Sequence, residues 1–292
     1  MPRRDRRHLD QTAWAGRGAG GSRAHSGASP ARPLSVCPAK SMSDTAFDPQ
    51  AGGRLRGALM LLPVLIWAFG YMFWLLIVTL IAPNWLRRNN VSIIRRWGHV
   101  ILAMLGIRVE VHGREHLQPD APRLVLFNHV NVFDLVVLSA VWDEGCSVIY
   151  KKEFHKIPMM GRLMRFFGMI PIDRGNRERA VESMAEAAQM VRDKNKKVMI
   201  APEGTRSHDG RLGAFKRGPF HLALETRAPV VPLIMRGLET LVPGLSKPPR
   251  TGVLRVDILP PIETEYWSRR TLDEHVEAVR QRFLKYLPDA TA

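Results

Sequence analysis

Residues 123–142, RLVLFNHVNVFDLVVLSAVW, decide the fold. RLVLF is an unbroken apolar run of strand length after its first residue. Val132 to Trp142 carries the pattern of a helix. Between them lies the short turn NHVNVFD, residues 128–134. A strand that feeds a helix through a short loop is the repeating unit of an α/β sheet, and sites in such sheets lie at the carboxyl ends of the strands.

The alternation extends outward in both directions. IRVEV (107–111) precedes it as a strand. SVIY (147–150), KVMIA (197–201), PVVPLIM (229–235) and VLRVDIL (253–259) follow as further strands. Glu178–Lys194, Phe220–Thr226 and Thr271–Tyr286 read as helices, and Thr271 with Glu274 forms a capping-box pattern. The expected fold is α/β, a mostly parallel central sheet flanked by helices, with an N-terminal membrane-embedded helical segment.

That N-terminal segment is Ala58–Ala82, ALMLLPVLIWAFGYMFWLLIVTLIA, 25 residues without a charge. As one straight helix it would be about 37 Å long, enough to span a bilayer with tilt. Arg54 and Arg56 precede it, and Arg87, Arg88, Arg95 and Arg96 follow, so the flanks do not set an orientation. Three arrangements fit: one spanning helix, two shorter helices dipping into one leaflet if Pro63 and Gly70 break the run, or a buried core helix. Val91–Ile107 fits an amphipathic helix at the interface. Lys151–Phe167 interleaves Phe154, Leu163, Phe166 and Phe167 with lysines and arginines. It reads either as a surface that dips toward lipid or as a core-facing helix with a solvated basic side.

Composition narrows the function. The chain has 292 residues, 43 Lys and Arg against 27 Asp and Glu, and a net charge of +16. Such a charge calls for an anionic partner. Two cysteines, Cys37 and Cys146, exclude a disulfide framework and a cysteine-rich zinc site. One uncharged run of spanning length excludes a polytopic transporter. The +16 also raises nucleic-acid binding, but no zinc finger, RNA-binding aromatic signature or helix-turn-helix is present and the apolar run would go unexplained, so no nucleic-acid partner is expected. The expected divisions are 1–50, a disordered basic N-terminus with Met42 as an alternative start; 51–106, a membrane-anchoring helical region; and 107–292, the catalytic domain.

Four loops carry chemistry. In NHVNVFD, a His129 in the loop can meet Asp134 on the first helical turn. A carboxylate on one ring nitrogen fixes the tautomer and stabilises the imidazolium once the other nitrogen takes a proton. In GMIPIDRG (168–175), Arg174 can offer a planar fork to a phosphate. In APEGTRS (201–207), Gly204 permits close backbone approach, and Thr205, Arg206 and Ser207 supply donors suited to an anion. Glu203 is an odd neighbour for an anion: it either orients Arg206 or accepts from a substrate hydroxyl. In FKRG (215–218) and APVVPL (228–233), Lys216 and Arg217 extend the basic lining, and Pro229 and Pro232 shape a loop-to-strand junction or a sheet-edge strand. The His, Asp and Glu positions do not cluster with metal-ligand spacing, so no metal is expected.

The ordered set NHxxxxD, GxIPIDR, PEGTRS and APVVPL resembles the lysophospholipid acyltransferase family, in particular the bacterial-type 1-acylglycerol-3-phosphate acyltransferases. KKEFHKIPMMGRLMRFFGMIPIDR (151–174) resembles it along most of its length, and the resemblance covers roughly residues 55–260. It implies that His129 is the general base and Asp134 its orienting partner. It implies an acceptor-phosphate site of Arg174, Glu203, Gly204, Thr205 and Arg206. Asn128, Lys216, Pro229 and Pro232 follow as further substrate contacts, the two prolines toward the acyl or donor side. The implied reaction moves an acyl group from acyl-CoA or acyl carrier protein, the only co-substrate and with no cofactor, to lysophosphatidic acid, giving phosphatidic acid. It also implies membrane phospholipids as surroundings, at the inner cell membrane with the active site on the cytoplasmic face. Met169 departs from the family's usual bulky residue, which bears on acyl selectivity. Other readings are a different acceptor such as a lyso-ornithine lipid, a thioesterase-like hydrolase, and a non-catalytic membrane adaptor.

Overall fold

The structure is a computed structural model that describes residues 53–117, 121–206, 211–243 and 247–287. The expectations for residues 1–50, Met42, Cys37 and Ser207 fall outside them. Three helices open the described residues: α1 (Gly53–Ile81), α2 (Pro83–Arg88) and α3 (Asn90–Leu105). Then come β1 (Ile107–His112), β2 (Arg123–Phe127), α4 (Asp134–Ala140), β3 (Cys146–Lys151), α5 (Met160–Phe166), β4 (Ile170–Ile172), α6 (Arg177–Lys194) and β5 (Lys197–Ile200). The chain finishes with α7 (Gly218–Thr226), β6 (Val230–Arg236), α8 (Leu238–Leu241), β7 (Gly252–Ile258) and α9 (Leu272–Leu284).

The seven strands form one sheet in the order β1-β7-β6-β2-β5-β3-β4. Every pairing is parallel except β6 with β7. β2 lies between β5 and β6 and is apolar on both faces, which explains its unbroken run. Its alternating side chains serve two cores. Val125 and Phe127 pack with residues of α3 and α4, such as Leu102 and Val137. Leu124 and Leu126 pack with residues of α6, α7 and α9, such as Ala188, Phe220 and Phe283.

Pro63 lies inside α1, and neither it nor Gly70 breaks the helix. The two-helix division of the apolar run is therefore replaced by one helix of 29 residues. By length and composition it is long and apolar enough to cross a membrane. It lies along α3 in the opposite sense. Arg56 Nη2 donates to Ala103 O near the end of α3 (3.2 Å), and Tyr71 Oη donates to Ile93 O near its start (3.1 Å). Met72, Leu75 and Val78 share a core with Leu86, Ile93 and Leu163. The opposite side of α1 exposes Leu59, Leu62, Ile66, Phe69, Phe73 and Leu80.

In α5, Leu163 and Met164 are buried and Arg162 and Arg165 are exposed, the arrangement of a core-facing helix with a basic outer side. Two local expectations change. Thr271 precedes α9 without capping it: its hydroxyl engages Ser268 and His275 instead. Strand β6 is an inner strand, not an edge. Pro232 is tolerated there because it sits where β7 has ended, its carbonyl accepting from Leu259 N (2.9 Å).

Candidate active site

The loop after β2 is fixed residue by residue. Asn128 is buried and makes two bonds to β6, its Nδ2 donating to Met235 O (2.9 Å) and its Oδ1 accepting from Met235 N (2.8 Å). Asn131 Oδ1 accepts from Phe133 N (2.8 Å), and its Nδ2 donates to Val242 O (2.7 Å). These bonds turn the chain tightly into α4.

The turn brings His129 Nδ1 onto Asp134 Oδ2 in a short hydrogen bond. Asp134 opens α4 and is 3% exposed. Its carboxylate also accepts from Val130 N (3.0 Å) and Asn131 N (3.1 Å). Burial raises its pKa, while His129 and the two amides pull the other way. An oxygen that accepts from Nδ1–H leaves Nε2 as the basic nitrogen, and Nε2 makes no hydrogen bond among the described residues. The site is therefore a His–Asp pair ready to accept a proton at Nε2.

The pair opens onto a cleft of about 1000 Å³. Its floor and walls are largely apolar, with Phe127, Leu138, Ile149, Tyr150 and Phe154 among them. On one side it is lined by Arg174, Gly204, Thr205 and Arg206. Arg174 follows β4, and its Nη1 donates to Gly204 O. Burial is the largest influence on the Arg174 guanidinium and lowers its pKa; Glu153 raises it, and the charge of Arg206 lowers it further. Two guanidiniums close enough to oppose each other are relieved by an anion between them. Gly204 adopts φ +70°, where a side chain is strained, and a Cβ there would come within 3.2 Å of Lys216 Cγ.

The remaining sequence-predicted residues lie elsewhere. Asn128, Glu203, Lys216, Pro229 and Pro232 do not line the cleft. Asn128 is a brace between strands, as above. Lys216 passes behind Gly204, while Arg217 pairs with Asp273 on the surface. Pro229 precedes β6 and Pro232 lies within it. Glu203 is 4% exposed; its Oε1 accepts from His129 N (2.8 Å) and its Oε2 from Gly213 N (2.9 Å). Sequence reasoning missed Asn131, whose only signal was its place inside the motif.

A second, wholly apolar cavity of about 80 Å³ adjoins the cleft, sharing Leu135 and Met164 with it. Met72, Trp97 and Met169 are in its wall. The Cys146 thiol is buried and pushed up to about 11, so it stays protonated and is not a nucleophile. Among the described residues no group of three or more His, Cys, Asp or Glu could hold a metal ion.

The chain is similar to known proteins in sequence and in fold. The pattern of the family described as Acyltransferase matches residues 108–236. The 1-acyl-sn-glycerol-3-phosphate acyltransferase of Limnanthes alba is 33% identical over 223 residues, 74% of this chain and 76% of that protein. The human 1-acyl-sn-glycerol-3-phosphate acyltransferase alpha is 34% identical over 196 residues, 67% and 69% of the two chains. The crystal structure of the 1-acyl-sn-glycerophosphate (LPA) acyltransferase PlsC from Thermotoga maritima superposes with a TM-score of 0.66 at 25% identity, covering 80% of this chain and 98% of that one. With its His–Asp pair at the end of β2 and these relatives on both sequence and fold, the chain belongs to the acyltransferase family that includes the 1-acyl-sn-glycerol-3-phosphate acyltransferases.

Proposed function

We propose that the protein transfers a fatty acyl group from an acyl thioester to the sn-2 hydroxyl of 1-acylglycerol-3-phosphate, giving phosphatidic acid. The observation that carries this reading is one cleft holding the His129–Asp134 pair, two converging arginines and an apolar lining. A substrate that fits all three has a hydroxyl, a phosphate and a lipid tail.

His129 Nε2 takes the proton of the acceptor hydroxyl as its oxygen attacks the thioester carbonyl. The imidazolium is stabilised by the Asp134 carboxylate. The tetrahedral oxyanion collapses, the C–S bond breaks, and the imidazolium returns its proton to the departing thiolate. No acyl-enzyme forms, so no serine or cysteine nucleophile takes part. Arg174 and Arg206, with the Gly204–Thr205 turn, hold the phosphate. The acyl chain lies along the apolar lining, toward the cavity walled by Met169. The donor is acyl-CoA or acyl carrier protein, and no cofactor takes part.

The setting is the cytoplasmic face of the cell membrane. Because α1 is packed along the domain from Arg56 to Val78, its exposed apolar side favours lying in one leaflet over crossing the bilayer. The exposed arginines of α5 and those after α1 then meet anionic headgroups.

The test is release of free thiol from acyl-CoA, and from acyl carrier protein, with and without lysophosphatidic acid. His129→Ala should lower acceptor-dependent release by roughly 10²–10⁴-fold. Release that ignores the acceptor would replace this reading with a hydrolase.

A further inference from the structure

We propose that Glu203 is a positioning residue for the catalytic base and not a ligand of the acceptor phosphate. The inference rests on the acyl-transfer reading and assigns Glu203 a place within it. Glu203 lies three residues beyond β5, where the loop toward Arg206 begins. Its two carboxylate oxygens are each occupied by a backbone amide, Oε1 by His129 N (2.8 Å) and Oε2 by Gly213 N (2.9 Å). It is 4% exposed and absent from the cleft's lining, which Gly204, Thr205 and Arg206 share. An acidic group has no favourable contact to offer a phosphate. This one is turned away from the cleft, toward the back of the histidine loop.

The consequence for the base is geometric and electrostatic. His129 is held at its ring by Asp134, at the start of α4, and at its backbone by Glu203, in the loop after β5. The charges of His129 and Asp134 both act on the Glu203 carboxyl, so the two acids and the histidine form one electrostatic unit. Glu203 is thus a second negative neighbour for the imidazolium that forms as the hydroxyl is deprotonated. The brace continues to the C-terminal helix. Arg280 on α9 donates from Nε to Gly213 O (3.3 Å) and from Nη2 to Leu212 O (3.4 Å), steadying the loop whose amide meets Glu203 Oε2.

The experiment is full kinetics of Glu203→Gln, Glu203→Ala and Arg280→Ala at varied lysophosphatidic acid and saturating donor. Thermal unfolding serves as the check on folding. Glu203→Gln keeps the size and one acceptor oxygen, so kcat should fall roughly 10- to 100-fold with acceptor KM within about twofold of wild type. Glu203→Ala should fall further, and Arg280→Ala less, each with acceptor KM unchanged. Arg280→Ala leaves the carboxylate in place and keeps the question open to test if either Glu203 variant fails to fold. A rise in acceptor KM with kcat preserved overturns the proposal, as does a Glu203→Gln enzyme indistinguishable from wild type. If the wild type uses a different hydroxyl acceptor, the functional reading fails separately, and the same kcat comparison on that acceptor still decides the role of Glu203.

Discussion

The Arg174 guanidinium donates to the carbonyl oxygen of Gly204, thirty residues further along the chain, so one cleft arginine is tied to the loop that presents the other. Arg174 and Arg206 are held in proximity by this link in spite of their like charge. A dianionic phosphate resolves the conflict, and a neutral acceptor does not.

Arg206→Ala should therefore act on the acceptor. Loss of a charge-assisted bond to phosphate costs about 1.5–3 kcal/mol, or roughly 10- to 150-fold in acceptor KM. Initial rates with each substrate varied in turn measure it. An equal loss for donor and acceptor would place Arg206 outside the phosphate site.

The packing of α3 on α4 sets a stability prediction. Gly98 is buried where the helices touch, and a Cβ there would stand 2.1 Å from Ser139 Oγ and 2.7 Å from Val136 O. The backbone oxygen cannot swing aside, so Gly98→Ala must push α4 away. The expected cost is about 1–3 kcal/mol of stability. Because α4 begins at Asp134, kcat should fall along with Tm. An unchanged Tm would mean the interface is looser than the structure shows.

Glu203 gives the pH dependence of stability a sign. Its pKa is raised by burial, with the amides of His129 and Gly213 and the charge of His129 opposing. The folded protein thus holds the proton more tightly than the unfolded chain. The stability this contributes is complete below the unfolded value, near 4.3, and is lost as pH rises through the folded value. Glu203→Gln carries no such titration. Its Tm relative to wild type should therefore climb as pH rises above about 4. A flat or falling difference in paired melting curves would contradict the assignment.

Met169 offers a readout of acyl-chain length. It walls the apolar cavity beside the cleft. Met169→Ala enlarges that space and should shift product toward longer acyl chains when a mixture of thioesters competes. The same product distribution as wild type would put the chain somewhere other than this cavity.

Much of this was legible before any coordinates. β2, β5 and β6 announce themselves as apolar runs because these inner strands are buried on both faces. His129 and Asp134 were legible because the pair is local, five residues apart on one turn. Glu203 was visible as a residue but not in its contacts. Its partners are backbone amides 74 and 10 positions away, and an amide leaves no trace in the identity of the residue that bears it. Asn128 and Asn131 were opaque for the same reason, since each is anchored to a distant backbone group. The capping box at Thr271 misled because Ser268 and His275, close in sequence, compete for the same hydroxyl.

The way α1 lies on the domain has a practical corollary. Met72 and Leu75 wall the small cavity, and Val64 belongs to the main core, so α1 and the catalytic domain share one interior. Clipping off residues 53–81 would not release a water-soluble catalytic fragment. It would strip the covering from Ile93, Ile94 and Leu163 and remove Met72 and Leu75 from the cavity's wall. The apolar helix and the catalytic domain therefore stand or fall as one folding unit.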